Sequence, residues 1–324
     1  MAVHSKASVK QTLLFLLPIT QLVILWVVCG SVDFDLSLGV WLVALVAIGM
    51  VHGAMDISII RRQSKSSERR RGTWRRVSGY MALMVLALVG LMLIPRFTVL
   101  GFLILTAVHF GEADRTYFNQ FFTDSPDFPR CWAWIRGALV IVIPCYFVPA
   151  EAWMPFAALT GVSGGESMEL LLQRFSLLLA GVACLLAVVS VLRSYRQLLS
   201  YSFLFFVLES VVASVWFFTM PPLLAIGGYF LCIHATRHMI RLMQDDYLRD
   251  KKSILVAQLR MHKDAMVFWL PAVLVVIFWA CLLDTESVMR SVAYASIGFY
   301  LISTLPHHLL VCGMDGTRDG DQTG

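Results

Sequence analysis

The chain has 324 residues, 58% of them hydrophobic and 15% charged, whereas a soluble domain holds about 45–50% apolar and about 25% charged residues. Together with a mean hydropathy of +0.75, this excludes an ordinary soluble globular protein and points to one that sits in a membrane. The net charge of +5 would admit a nucleic-acid partner, but the basic residues cluster beside apolar runs, where they set orientation in a bilayer, so no nucleic acid is expected.

The N-terminal stretch, with Lys6 and Lys10 ahead of Leu13 to Val28, resembles the opening of a signal peptide. No small-residue cleavage site follows, so the run is read as a retained first span. Apolar runs of roughly 17–25 residues, each long enough to cross a bilayer as a helix, predict about ten spans, over residues 12–30, 38–60, 78–95, 97–117, 133–150, 170–192, 199–219, 221–243, 265–283 and 288–313. The expected fold is all-α, a polytopic membrane helix bundle forming one integral-membrane domain over residues 1–324. The seven cysteines are scattered, mostly within apolar runs and without a Cys-x-x-Cys, and mark neither a disulfide framework nor a thiolate metal site.

The loop from Arg61 to Arg76 is strongly basic, and short basic loops stay in the cytoplasm. That orientation places both termini in the cytoplasm, along with Arg193, Arg196 and the segment 241–264. The loops left outside carry Asp33, Asp35, Glu151, Glu166, Glu169, Asp284 and Glu286 and few basic residues. A multi-pass protein of the cell inner membrane, in contact with membrane lipids, is therefore expected.

Of the eight histidines, His4 lies in the N-terminal tail and His262 in a charged loop, and both read as solvated. The other six, His52, His109, His234, His238, His307 and His308, fall within the second, fourth, eighth and tenth spans, all running from outside to inside. Each precedes the cytoplasmic end of its span by about two helical turns, so they should share one depth. Ionisable residues inside a bilayer are costly and usually mark function. His234 and His238 are four residues apart in an apolar run, so both imidazoles leave one helix face, about 5–6 Å apart at Cβ. Such a pair can grip one metal ion, and imidazole donors suit iron, zinc or copper.

Asp56 follows His52 by four residues and Glu112 follows His109 by three. Either carboxylate could be a direct ligand, though one beside a metal-bound imidazole more often accepts its second ring N–H and fixes its orientation. Gly53 and Gly111 would let helices approach closely. Arg237 lies off the shared face of His234 and His238, as a snorkelling or carboxylate-pairing residue near the cytoplasmic surface. Pro306 interrupts the last span's hydrogen bonding and could aim His307 or His308 inward. Phe110, Tyr117, Tyr229 and Phe230 flank the histidines at helical spacing, either as packing or as walls of a channel for a long apolar substrate.

The strings VHGAMD (ending at Asp56), HFGEAD (His109 to Asp114), GGYFLCIHATRH (Gly227 to His238) and LPHHLLV (Leu305 to Val311) resemble the Brp/Blh family of membrane β-carotene 15,15′-dioxygenases. The resemblance covers four spaced motifs in the family's order. It implies an iron-dependent enzyme that cleaves the central double bond of β-carotene with O2 to give two molecules of retinal. Fe(II) would be held by His52, His109, His234 and His238, with Asp56 and Glu112 in support and Phe110, Tyr229, Phe230, His307 and His308 lining the substrate pocket. A functional link to a rhodopsin apoprotein that uses retinal would follow. Two other readings compete. A di-iron lipid desaturase or hydroxylase would need more histidines, in tighter clusters. A proton-coupled transporter would explain ionisable residues in spans but not the four-residue spacing of His234 and His238.

Overall fold

The computed structural model describes residues 9–31, 33–56, 60, 69–122, 130–194, 201–243 and 254–321. Among them the regular elements are all helical: α1 (Val9–Ser31), α2 (Phe34–Ala44), α3 (Met50–Ala54), α4 (Arg69–Leu93), α5 (Pro95–Phe121), α6 (Arg130–Phe147), α7 (Pro149–Thr160), α8 (Glu166–Ser194), α9 (Tyr201–Thr219), α10 (Pro222–Tyr229), α11 (Thr236–Leu242), α12 (Ile254–Leu282) and α13 (Val288–Asp321). Wider π turns interrupt the regular helices at Leu45–Gly49, between α2 and α3, and at Phe230–Ala235, between α10 and α11.

Among the described residues eight helical stretches are long and apolar enough to cross a membrane, and nine when the bent pair Cys131–Phe147 and Pro149–Thr160 counts as one span. The expected span over 199–219 is α9, whose apolar stretch Phe203–Thr219 is a shorter helix. The chain is thus an all-α membrane protein. The bent pair turns through 96° at Val148, because a residue before proline is pushed out of the helical region and Pro149 has no N–H to continue the ladder. Residues 61–68 and 244–253 of the basic loops, together with His4 and Arg196, lie outside the described residues.

By internal contacts the chain divides into two compact units. The first comprises Met1–Ser37, Thr106–Met154 and Gly164–His238. Within it α6 packs along α8 and against α9, and α1 packs on the Phe230–Ala235 turn. The crossing of α5 and α6 is a backbone contact: a Cβ on Gly137 would run into the Ala107 carbonyl oxygen, and one on Gly111 would lie 2.6 Å from that of Ala133. Gly53, expected alongside Gly111 to permit close approach, has no atom of the described residues within 4 Å of its Cβ position. Only Gly111 does what was expected of the pair, and the larger effect belongs to Gly137.

The Gly137→Ala variant should therefore unfold earlier in detergent, by roughly the 1–3 kcal/mol typical of overpacking. Gly79→Ala, at a mid-helix glycine with open space around it, should unfold no earlier, since alanine is favoured in helix interiors. Thermal unfolding of the two variants side by side checks this.

The second unit comprises Leu38–Leu105, Pro155–Ser163 and Met239–Gly324. Here α13 packs against α12 and α4, while α12 packs against α3. Val51, Ala54 and Met55 meet Met239, Leu242, Met261 and Ala265 in one buried cluster. A π turn disturbs the regular i to i−4 ladder, so its carbonyls need other donors. Trp269 supplies one, donating from Nε1 to the Val46 carbonyl at 2.7 Å. The short helix α3, which carries His52, is fixed from both its ends.

Candidate metal centre

In each unit two buried histidines stand ring to ring. In the first, His109 on α5 and His234 in the Phe230–Ala235 turn have ring centroids 4.7 Å apart, with an interplanar angle of 62°. In the second, His52 on α3 and His307 on α13 also stand 4.7 Å apart, at 70°. All four are buried. A ring whose nitrogen bonds a metal at about 2.1 Å has its centroid about 3.2 Å from the ion, so two such rings at right angles would be about 4.6 Å apart. Both pairs have that spacing, and each pair consists of buried imidazoles that could ligate a metal ion. An all-imidazole donor set suits iron, copper or zinc.

His238 is also buried, one turn beyond His234 on α11. His308 is half-buried and lies 3.6 Å from the Cys312 Sγ through Nε2. His262 is bonded through Nδ1 to the Gln258 carbonyl, at an exposed position on α12.

Aromatic side chains enclose His234. Phe110 stands 4.7 Å from its ring and Phe230 stands 5.8 Å from it, nearly parallel at 26°. Tyr229 packs 5.5 Å from Phe110. Its hydroxyl is engaged elsewhere, donating to Asp114 Oδ2 at 2.7 Å. Of the pocket candidates in this unit, Phe110 and Phe230 therefore face the histidine, while Tyr229 joins that wall to a polar network.

The network is a closed ring of four buried charges. Arg136 on α6 reaches Asp114 Oδ2 at 2.7 Å and Glu209 Oε1 at 2.8 Å. Arg237 on α11 pairs with the remaining oxygens of the same two carboxylates. Each side chain is at most 2% exposed, and two positive charges balance two negative ones. The guanidinium of Arg237 also stacks over Tyr117, its carbon 4.7 Å from the ring centroid, and that of Arg136 lies 4.9 Å from Phe206. Arg237 is thus a buried partner of carboxylates, and its snorkelling alternative is replaced.

The π turn makes the ring geometrically possible. Tyr229 and Arg237 both reach Asp114 although eight residues separate them, which on a regular α-helix would set them about 80° apart. One inserted residue's worth of turn reduces the offset to about 20°. Thr236 anchors the turn, its hydroxyl 3.2 Å from the Leu231 carbonyl and 2.8 Å from Gln21 Oε1. Sequence reasoning assigned no role to Asp114, Arg136 or Glu209. The available signal was Arg136 and Glu209, charges of opposite sign that each stand alone in an apolar run.

In the second unit the carboxylate of Asp56 lies 2.8 Å from His307 Nδ1 through both oxygens and accepts a hydrogen bond from Tyr80 at 2.9 Å. Its histidine partner comes from α13 rather than from the next turn of its own helix. Glu112 accepts a hydrogen bond from Trp134 Nε1 at 2.8 Å and pairs with Arg115 at 3.7 Å, partly exposed.

The model of the β-carotene 15,15′-dioxygenase family matches residues 43–315. The chain is 29% identical over 204 residues to the β-carotene 15,15′-dioxygenase of uncultured marine bacterium 66A03, covering 61% of this chain and 66% of that protein. It is 26% identical over 298 residues to the probable β-carotene 15,15′-dioxygenase Blh of Halobacterium salinarum, covering 83% of this chain and 82% of that one. The match to the marine protein thus spans just under two thirds of its length. No solved structure matches the chain.

Proposed function

On the premise that the chain belongs to the β-carotene 15,15′-dioxygenase family, we propose that it uses iron and O2 to cleave the central 15,15′ double bond of β-carotene into two molecules of retinal. One carbon–carbon double bond breaks and each of its carbons becomes an aldehyde, so the two oxygen atoms of O2 balance the products. The observation that carries the reading is the paired buried imidazoles, spaced as two ligands of one ion would be. His52, His109, His234 and His238 are the proposed holders of Fe(II). Bound there, iron would supply the activation of O2 that protein side chains cannot provide.

The chain's own residues bind, orient and exclude water. Neutral imidazoles leave the ion its full positive charge. Phe110 and Phe230, beside His234, offer flat apolar surface to a polyene and keep water from the reacting bond. Asp56 holds an imidazole in one tautomer, and Glu112 is a candidate for the same service to His109. A carotenoid stays in the lipid, so a membrane-embedded site meets its substrate where the substrate is most concentrated. We place the enzyme in the cell inner membrane as a multi-pass, single-domain protein with both termini cytoplasmic. The retinal it releases would serve a rhodopsin apoprotein.

Purified protein in detergent should bind iron at about one ion per chain and convert β-carotene under air to retinal, identified by chromatography. About two irons per chain without retinal would indicate a di-iron desaturase or hydroxylase. Solute flux in vesicles without any metal requirement would indicate a transporter.

A further inference from the structure

We infer that His307 is itself a ligand of the iron proposed above, aimed by Asp56 and Tyr80, rather than a residue that only lines the substrate pocket. This rests on the iron reading and adds to it a residue that the histidine spacing of the sequence did not select. Three observations carry it, all within the second unit.

The first is the ring geometry. His307 stands edge-on to His52 with centroids 4.7 Å apart, matching the roughly 4.6 Å of two imidazoles bound at right angles to one ion. The second is the hydrogen bond to Asp56. A carboxylate beside Nδ1 can only accept, so Nδ1 carries the proton and Nε2 carries the lone pair, which is the tautomer a metal requires. Both carboxylate oxygens lie 2.8 Å from Nδ1, and Tyr80 donates to one of them. The ring is thus fixed by a carboxylate that is itself fixed, and this relay of phenol, carboxylate and imidazole is how proteins orient ligating histidines. The third is burial. His52, His307 and Asp56 are 3%, 7% and 1% exposed, so the two rings and the carboxylate are shielded from water that would compete for a bound cation. The local sequence supports the placement, since Pro306 releases backbone constraint one residue before His307.

The test is metal binding rather than turnover. Apo-protein would be loaded with Fe(II) anaerobically, and the affinity and the electron paramagnetic resonance of the nitric oxide adduct recorded. For wild type, Asp56→Asn and His307→Gln, these would be set beside the optical spectrum of the Co(II)-substituted protein. Asp56→Asn should weaken iron by about 10–100-fold, as loss of a hydrogen-bond partner of a ligand does, with the secondary structure and melting point of the apo-protein kept. His307→Gln should weaken it further and change the ligand-field bands of Co(II). Imidazole added to His307→Gly should restore binding in part. If both Asp56→Asn and His307→Gln bind Fe(II) with wild-type affinity and unchanged Co(II) bands, His307 is not a ligand, while the iron reading stands. If wild type binds no iron, the iron reading itself fails. Should His307→Gln fail to fold, the affinity and Co(II) spectrum of Asp56→Asn decide the outcome.

Discussion

Replacing either His109 or His234 by alanine is expected to strip the protein of iron and to reduce retinal formation by more than about 100-fold, beyond the range of losing a mere hydrogen-bond partner of a ligand. The two rings face each other at 4.7 Å, His109 from α5 and His234 from the Phe230–Ala235 turn. Little repacking could bring another donor into the vacated position, because Gly111 and Gly137 already bring α5 and α6 to contact. The measurement is iron per chain, with retinal yield from β-carotene in the same preparation. Each variant removes a buried side chain without leaving an unpaired charge, so the fold should persist at a cost of about 1–3 kcal/mol. A His234→Ala preparation that retained iron and still produced retinal at the wild-type rate would show that the centre lies elsewhere. His238→Ala belongs beside these two, since His238 is buried one turn beyond His234 on α11.

The parts of this molecule that hydrophobicity decides were legible from the chain. Long apolar runs predicted about ten spans, against the eight, or nine with the bent pair, among the described residues; the bend before Pro149 and the shortness of the helix over 199–219 were not read from the sequence. Histidines inside those spans stood out in the sequence because a bilayer penalises ionisable groups. What the sequence hides is pairing across helices. Asp56 sits one turn from His52, which suggests a local partner, yet its imidazole partner is 251 positions away. Nothing in a one-dimensional pattern names a contact at that separation. The π turns are hidden for another reason: an inserted residue has no composition of its own, and FLCIHA reads as ordinary helix. That turn nonetheless decides which side chains share a face with Asp114.

The same limit applies to the ring of charges, and it yields the second large effect. Arg237→Met is expected to destabilise the apo-protein by about 3–5 kcal/mol, because removing one member of a buried ion pair leaves the other charge uncompensated. Asp114 and Glu209 would then share a single guanidinium in a region that excludes water. Arg237→Lys should recover only part of the loss, since one ammonium cannot bridge two carboxylates or stack on Tyr117 as the planar guanidinium does. Pairing Arg237→Met with Glu209→Gln restores neutrality, so the double variant should be more stable than the sum of the single losses predicts. Unfolding midpoints of the apo-proteins in one detergent measure all four. If the double variant lost the sum of the two single losses, the charges would not be coupled and the ring would be incidental. A coupled ring also has a consequence for the metal. Arg237 lies three residues after His234 on a continuous helical path, and its bonds to α5 hold His234 in register with His109. Iron should therefore bind more weakly to Arg237→Lys than to wild type even when both are folded, which separates a positioning role from stability alone.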